Sequence, residues 1–115
     1  MTMTGFDYLA TMTEAQFQQQ VIRLAQRFAW KVYHTHDSRR SQPGFPDLVL
    51  TRNGLLIFAE LKRQNTLTTP AQDEWISELG KVEFFSPNVR VRVWRPSDLP
   101  QIQQMLKDGW KVKPT

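Results

Sequence analysis

The clearest helical periodicity of the chain lies near its N-terminus. An apolar stripe runs there at spacings of 4, 3 and 4 residues, and its members are Phe17, Val21, Leu24 and Phe28. This spacing is typical of an amphipathic helix, and Thr11-Met12-Thr13-Glu14 before it fits a capping box. We therefore predict a first helix over about residues 12–29. Residues 1–10 show no clear period and are predicted to form a short N-terminal arm.

The next part of the chain changes to strand patterns. Residues 30–36 are rich in aromatic and β-branched side chains and predict a strand, whereas residues 37–46 contain Gly, Pro and Ser and predict a loop. Residues 47–51 and 55–62 then predict two strands joined through Asn53-Gly54, a strong hairpin signal. Both strands are apolar at nearly every interior position, which is typical of strands covered on both faces.

A second helix is predicted over residues 70–79. Thr69 supplies an N-cap, Pro70 occupies the first helical position, Gln72 can complete a capping box, and Gly80 indicates the C-terminal end. The face of this helix that we expect to point inward consists of Gln72, Trp75, Ile76 and Leu79.

Two further strands and a last helix complete the pattern. Residues 81–86 and 89–95 predict strands, and residues 97–107 predict a helix that ends before Gly109. The order of elements predicts an α/β fold in which helices flank a mixed four- to five-stranded sheet. Because the chain has 115 residues and no long interior linker, we expect a single domain over residues 11–115.

Composition narrows the classes of function. The chain contains no Cys, which excludes disulfide frameworks, thiolate zinc sites, thiol nucleophiles and iron-sulfur clusters. Its longest wholly apolar run, residues 55–59, is far shorter than the roughly 20 residues of a membrane span, and no basic residue precedes Arg23, so no signal peptide is expected. We therefore expect a cytoplasmic protein without membrane partners. The net charge of +4 permits nucleic-acid binding without requiring it.

The predicted hairpin brings charged residues together at its open end. If Asn53-Gly54 is the turn, stepwise pairing places Asp47 directly opposite Glu60, and like charges in that position are destabilising. Side chains alternate along a strand, so Lys62 shares the face of Glu60 while Leu61 points away and leaves its carbonyl near the carboxylates.

A divalent cation would make this pair of carboxylates favourable. Oxygen ligands of this kind suit Mg²⁺ or Mn²⁺. The alternative is structural: Lys62 neutralises Glu60 at a frayed strand end, and Asp47 caps the turn after Pro46.

Two further polar residues lie at the ends of apolar helix faces. Glu14 lies at the N-terminal end of the apolar stripe that contains Phe17, although a Glu there can also close a capping box. Gln72 poses the same choice, because its side chain can either cap with Thr69 or point towards the hairpin.

The order of these motifs resembles a known nuclease family. Residues 44–48 (Gly-Phe-Pro-Asp-Leu), residues 60–62 (Glu-Leu-Lys), then Gln72 with Trp75, and Glu14 on the first helix, are similar to the PD-(D/E)xK nuclease pattern. More narrowly, the chain resembles the stand-alone virus-type replication-repair nuclease domain, VRR-NUC, as found in phages and bacteria. The resemblance spans about residues 13–106.

The resemblance implies roles for individual residues. Asp47 and Glu60 would be metal ligands together with the carbonyl of Leu61. Lys62 would position or polarise the attacking water. Glu14 would assist through a metal-bound water, and Gln72 would orient the site.

The resemblance also implies an activity and a location. The expected reaction is Mg²⁺- or Mn²⁺-dependent endonucleolytic hydrolysis of DNA phosphodiesters, on branched or Holliday-junction-like DNA, in the DNA repair of a bacterial or phage-infected cell. The alternatives are a DNA-binding module without catalysis and a restriction-type nuclease on the same fold.

Residues before and after the motifs are candidates for DNA contact. Hydroxyl and guanidinium groups suit phosphate, and those close to Asp47 and Lys62 along the chain belong to Ser38, Arg39, Arg40, Ser41 and Arg63. We expect His36 to lie beside the site and His34 to be structural. The alternative for residues 38–41 is a solvated polar loop.

A homodimer is expected because a branched junction has symmetric strands that two opposed sites would cut. Apolar residues outside the predicted elements offer a surface for it, and they are Phe6, Tyr8, Leu9 and Trp110. The alternative is that these residues pack back onto their own domain.

Overall fold

The structure is a computed structural model that describes residues 5–35 and 42–113. The elements in chain order are α1 (Gly5–Thr11), α2 (Glu14–Arg27), β1 (Lys31–His34), β2 (Leu48–Arg52), β3 (Leu55–Leu61), α3 (Pro70–Phe85), β4 (Val89–Trp94), a 3₁₀ turn (Pro96–Asp98) and α4 (Leu99–Asp108). Among these residues no helix combines the length and the apolar character needed to cross a membrane.

The four strands form one mixed sheet in the order β1-β2-β3-β4. β2 pairs antiparallel with both β1 and β3, whereas β4 runs parallel to β3 after the crossover through α3. This confirms the predicted α/β fold with helices flanking a mixed sheet.

The β2–β3 hairpin has the predicted turn and register. Asn53 and Gly54 both have positive φ, 51° and 80°, as the tight two-residue turn requires. Pairing runs from Arg52 opposite Leu55 to Leu48 opposite Ala59. Asp47 and Glu60 are the next residues beyond the last of these pairs, at the open end of the hairpin.

The core lies on one face of the sheet. Helices α2 and α4 contribute Phe17, Val21, Ala25, Ile102 and Leu106, and the central strands contribute Leu48, Leu50, Ile57, Ala59 and Leu61, all fully buried. The opposite face carries Val49 and Phe58, which are only half-buried, and α3 on that side buries no residue completely. The α3 side of the sheet is therefore covered less completely than the side of α2 and α4.

A half-buried arginine fastens the turn end of the hairpin to two helices. The Arg52 guanidinium donates to the carbonyls of Phe28 at 2.9 Å and Leu106 at 2.8 Å. It also lies 4.9 Å from the ring centroid of Trp30, whose indole N–H donates to the same Leu106 carbonyl at 2.8 Å. These contacts satisfy carbonyls at the C-terminal ends of α2 and α4 that have no partner within their helices.

Two predictions at the N-terminus differ from the structure. Residues Gly5–Thr11 form helix α1 instead of an irregular arm. α2 begins at Glu14 and not near Met12, because the capping box uses Thr13 and Gln16: the Thr13 side chain accepts from the Gln16 N–H and the Gln16 side chain accepts from the Thr13 N–H.

The predicted strand over residues 81–86 is also wrong, because α3 continues through Gly80 to Phe85. Tertiary contacts hold this last part of the helix. The Glu83 carboxylate accepts from the Val91 N–H at 2.6 Å and from the Arg92 guanidinium at 2.9 Å. Their stabilisation offsets the cost of about 1 kcal/mol that a glycine imposes within a helix.

We predict that Arg52→Ala lowers the free energy of unfolding by about 2 kcal/mol, because it removes two charged hydrogen bonds and a cation–π contact. Arg52→Lys should recover less than half of that loss, since an ammonium lacks the planar fork of donors. Urea unfolding monitored by tryptophan fluorescence measures both. Lys81→Ala, which breaks an exposed ion pair with Glu78 on α3, is the control and should cost under about 0.5 kcal/mol. Equal losses for Arg52→Ala and the control would contradict the prediction.

Candidate metal centre

The open end of the hairpin holds two carboxylates in a fixed arrangement. Asp47 Oδ2 accepts from the Leu61 N–H at 2.8 Å, which ties the start of β2 to the end of β3. The backbone of Asp47 is also held by β1, because its carbonyl accepts from the Thr35 N–H at 3.1 Å. Glu60, the residue before Leu61, is 1% exposed. Asp47 therefore bridges two strands and does not cap the turn after Pro46.

Glu14 completes a cluster of three carboxylates. One carboxylate oxygen each from Glu14, Asp47 and Glu60 lies within 4.8 Å of the other two. Because Thr13 and Gln16 form the capping box, the Glu14 side chain is not used to cap α2. The first turn of α2 thus presents a carboxylate to the end of the hairpin.

The cluster perturbs the acidity of its members. Burial raises the pKa of Glu60 to about 9, and the hydrogen bond to Asp47 and the charge of Asp47 act in the same direction. Burial also raises the pKa of Glu14, with a smaller contribution from the charge of Asp47. The positive charge of Lys62 lowers both pKa values but does not cancel the increase. At neutral pH and without a cation, Glu60 therefore holds a proton.

The buried carboxylate of Glu60 has one oxygen free for a ligand. Oε1 accepts from the Gln72 side-chain N–H₂ at 3.0 Å, whereas Oε2 is buried and has no hydrogen-bond donor among the residues described. A buried oxygen without a donor is costly unless a proton or a cation satisfies it. This oxygen and the two neighbouring carboxylates fit a divalent cation.

The Gln72 side chain both caps α3 and contacts the hairpin, the two roles that the sequence offered as alternatives. Its carbonyl oxygen accepts from the Thr69 N–H at 2.9 Å and closes the capping box of α3. The N–H₂ group of the same terminal amide donates to Glu60. The helix start and the carboxylate are thereby connected through a single side chain.

The loop before Asp47 packs directly on the start of α3. Gly44 has a φ of 87°, and a Cβ atom there would lie 2.4 Å from the backbone of Ala71 and 2.7 Å from the Gln72 nitrogen. Phe45 then contacts the ring of Trp75 edge-on, with 5.0 Å between centroids. Only glycine permits this approach. Gly44 belongs to the Gly-Phe-Pro-Asp motif, but the sequence alone did not predict this packing role for it.

Some of the remaining predicted site residues lie within the described part of the chain and others lie outside it. Lys62 is 6% exposed and its charge acts on Glu14 and Glu60, while Arg63 directly after it is exposed. His36, Ser38, Arg39, Arg40 and Ser41 lie outside the described residues. His34 is half-buried in β1 opposite Leu48.

Three other arginines make contacts within the domain. Arg92 pairs with Glu83, Arg90 lies 4.6 Å from the ring centroid of Trp110, and Arg95 donates to the Thr66 carbonyl at 3.0 Å. Each of these guanidinium groups therefore contacts another part of the domain on or near β4.

Comparisons with known proteins agree with the geometry. No protein-family model matches the sequence, and no curated protein matches it significantly. Among solved structures, a "VRR_NUC domain" is 22% identical with a TM-score of 0.56 and covers 84% of this chain and 97% of its own. A "VRR_NUC domain protein" is 25% identical with a TM-score of 0.58 and covers 81% of this chain and 87% of its own. The chain therefore has the fold of a VRR-NUC domain, as the resemblance of its motifs predicts.

Proposed function

We propose that this chain is a metal-dependent DNA endonuclease. The observation that carries the proposal is the cluster of the Glu14, Asp47 and Glu60 carboxylates, in which Oε2 of Glu60 is buried without a hydrogen-bond donor among the described residues and on which the charge of the buried Lys62 acts. The names of the two similar structures support nuclease chemistry in this fold.

The proposed cofactor is Mg²⁺ or Mn²⁺. Carboxylate oxygens suit these ions, which keep several waters and accept phosphate oxygens. Asp47, Glu60 and the carbonyl of Leu61 would hold the cation, and Glu14 would reach it through a water. When bound, the cation stabilises charge on the phosphate and lowers the pKa of water.

The chain's own residues would then orient the reaction. Lys62 offers an ammonium on the same strand face as Glu60, where it can position the attacking water or hold a phosphate oxygen. Gln72 fixes one oxygen of Glu60 and leaves the other without a donor among the described residues. Arg63, which is exposed and directly follows Lys62, and the residues at 36 and 38–41 are proposed to contact DNA phosphates.

We extend the proposal to a homodimer that cuts branched DNA in the cytoplasm during DNA repair. Of the residues considered for a dimer surface, Tyr8 is 55% exposed, whereas Trp110 packs back on its own domain by stacking on Trp30. A larger apolar surface lies on α3, where Phe84 and Phe85 are 82% and 81% exposed and contact each other. A second copy of this chain would cover that pair.

We predict that Glu60→Gln abolishes cleavage and stabilises the metal-free protein. The folded protein keeps the Glu60 proton up to about pH 9, whereas the unfolded chain releases it near pH 4.5. The metal-free wild type therefore loses stability as pH rises through this range, and glutamine removes the loss. Melting curves in EDTA should show a gain that is small near pH 5 and about 1 kcal/mol or more near pH 8.

Cleavage is tested with linear, flapped and four-way-junction DNA in Mg²⁺ and in Mn²⁺. Lys62→Ala should lose cleavage yet keep metal binding, and Lys81→Ala should behave as wild type. Binding of DNA by the wild type without cleavage in either metal would favour the non-catalytic DNA-binding alternative.

We predict that the affinity for Mn²⁺ rises with pH, by up to about tenfold per unit between pH 6 and 8, because binding must displace the Glu60 proton. Calorimetry in two buffers of different ionisation enthalpy should show release of about one proton per cation. The titratable neighbours Glu14, Asp47 and Lys62 remain in the Glu60→Gln control, which should bind more weakly and with less pH dependence. A flat profile for the wild type would contradict a raised Glu60 pKa.

We predict that the wild type sediments as a dimer at micromolar concentration and that the double variant Phe84→Ser, Phe85→Ser sediments as a monomer. Leu67→Ser, which replaces another exposed apolar residue in the loop before α3, is the control and should stay dimeric. A monomeric wild type would overturn the proposed assembly.

A further inference from the structure

We propose that a duplex arm of the DNA substrate lies along the outer surface of α2 and α4, on a track that begins at the N-terminal end of α2. The proposal rests on the proposed function, because it assigns a path to the DNA that the carboxylate cluster would cut. It concerns residues that no motif of the family resemblance includes.

The track is formed first by one stripe of α2. Gln16, Gln20, Arg23 and Arg27 follow one another at spacings of 4, 3 and 4 residues, one position ahead of the buried apolar stripe. Side chains at these spacings share one helix face. This polar stripe therefore runs along the length of α2 beside the face that packs into the core.

Three consecutive clefts continue the stripe towards α4. The first, of about 320 Å³, and the second, of about 350 Å³, share Gln20 and Arg23. The second and the third, of about 390 Å³, share Gln103 of α4, and the third ends at Lys107 and Asp108. Because neighbouring clefts share lining residues, the three clefts adjoin in a row, which is called the groove below.

The groove starts at the end of α2 that carries Glu14. Met12 and Gln16, which line the first cleft, flank Glu14 in the chain. From Glu14 to Arg27 the helix rises by about 20 Å at 1.5 Å per residue. At a spacing of 3.4 Å per base pair this length corresponds to about six base pairs.

The chemistry of the groove suits a phosphate backbone. Its cations are Arg23, Arg27 and Lys107, and none of the three forms an ion pair with a carboxylate of a described residue. Its other polar side chains include five glutamines, whose amides can donate to phosphate or sugar oxygens. The acid that lines it, Asp108, lies at the far end.

The surface of α3 has the opposite charge. A wide groove of about 730 Å³ along α3 is lined by Asp73, Glu74 and Glu78. Lys81, the cation nearest to it in the helix, is already paired with Glu78 at 3.0 Å. A phosphate backbone is repelled along α3 and attracted along α2 and α4, so the charge distribution selects one direction for the duplex.

The test measures binding in EDTA, where the proposed cleavage cannot occur, with flapped DNA whose duplex arm is shortened from 12 to 4 base pairs. The double variant Arg23→Ala, Arg27→Ala should bind the 12-base-pair arm at least tenfold more weakly. The slope of the logarithm of its binding constant against the logarithm of salt concentration, here called the salt slope, should fall in magnitude by about two units. Shortening the arm below about six base pairs should weaken the wild type but not the double variant.

Matched variants keep the proposal falsifiable. Because Arg27 also contacts the Phe28 ring at 5.7 Å, Arg23→Gln alone is measured too; it should fold as the wild type and reduce the salt slope by about one unit. Lys81→Ala removes a charge on the acidic side and should leave the affinity unchanged.

The outcomes separate the two proposals. If the wild type binds and cleaves DNA while the Arg23 and Arg27 variants behave like Lys81→Ala, the duplex track is overturned and the nuclease proposal stands. If the wild type neither binds nor cleaves DNA in the presence of Mg²⁺ or Mn²⁺, the proposed function fails and the track fails with it.

Discussion

The burial of Glu60 beside Asp47 is the constraint around which the open end of the hairpin is arranged. A carboxylate that is 1% exposed needs a proton, a donor or a cation on each oxygen. Gln72 supplies a donor to one oxygen only, and the Leu61 N–H is directed to Asp47 instead. The second oxygen of Glu60 is therefore left without a donor or a cation. When no cation is bound, a proton takes that place, in agreement with the raised pKa of Glu60.

The rest of the domain holds this unfavourable arrangement in place. At the turn end of the hairpin, Arg52 binds the ends of α2 and α4 through backbone carbonyls. At the open end, Gly44 lets the loop before Asp47 lie directly on Ala71, and the helix that starts there carries Gln72. The two central strands are therefore fastened at both ends, which keeps the two carboxyl groups close together.

The hairpin and the capping of α3 could be predicted from the sequence because both depend on local rules. Asn53-Gly54 requires one turn type, the turn defines the register, and the register places Asp47 next to Glu60. The end of α3 could not be predicted in this way. Gly80 is a helix-ending signal in isolation, and only the contacts of Glu83 with Val91 and Arg92, residues of a strand formed later in the chain, extend the helix past it.

The capping of α2 shows how one local choice exposes a residue to the site. With Thr13 as the N-cap, Gln16 completes the capping box and the Glu14 carboxylate is left to face Asp47 and Glu60. Had Thr11 been the cap, Glu14 would have occupied the capping position that Gln16 takes. The polar stripe through Gln20 and Arg23 runs from the same end of α2 as Glu14. A two-residue difference in where α2 starts thus decides whether Glu14 caps the helix or faces the hairpin, and only the packed structure fixes that difference.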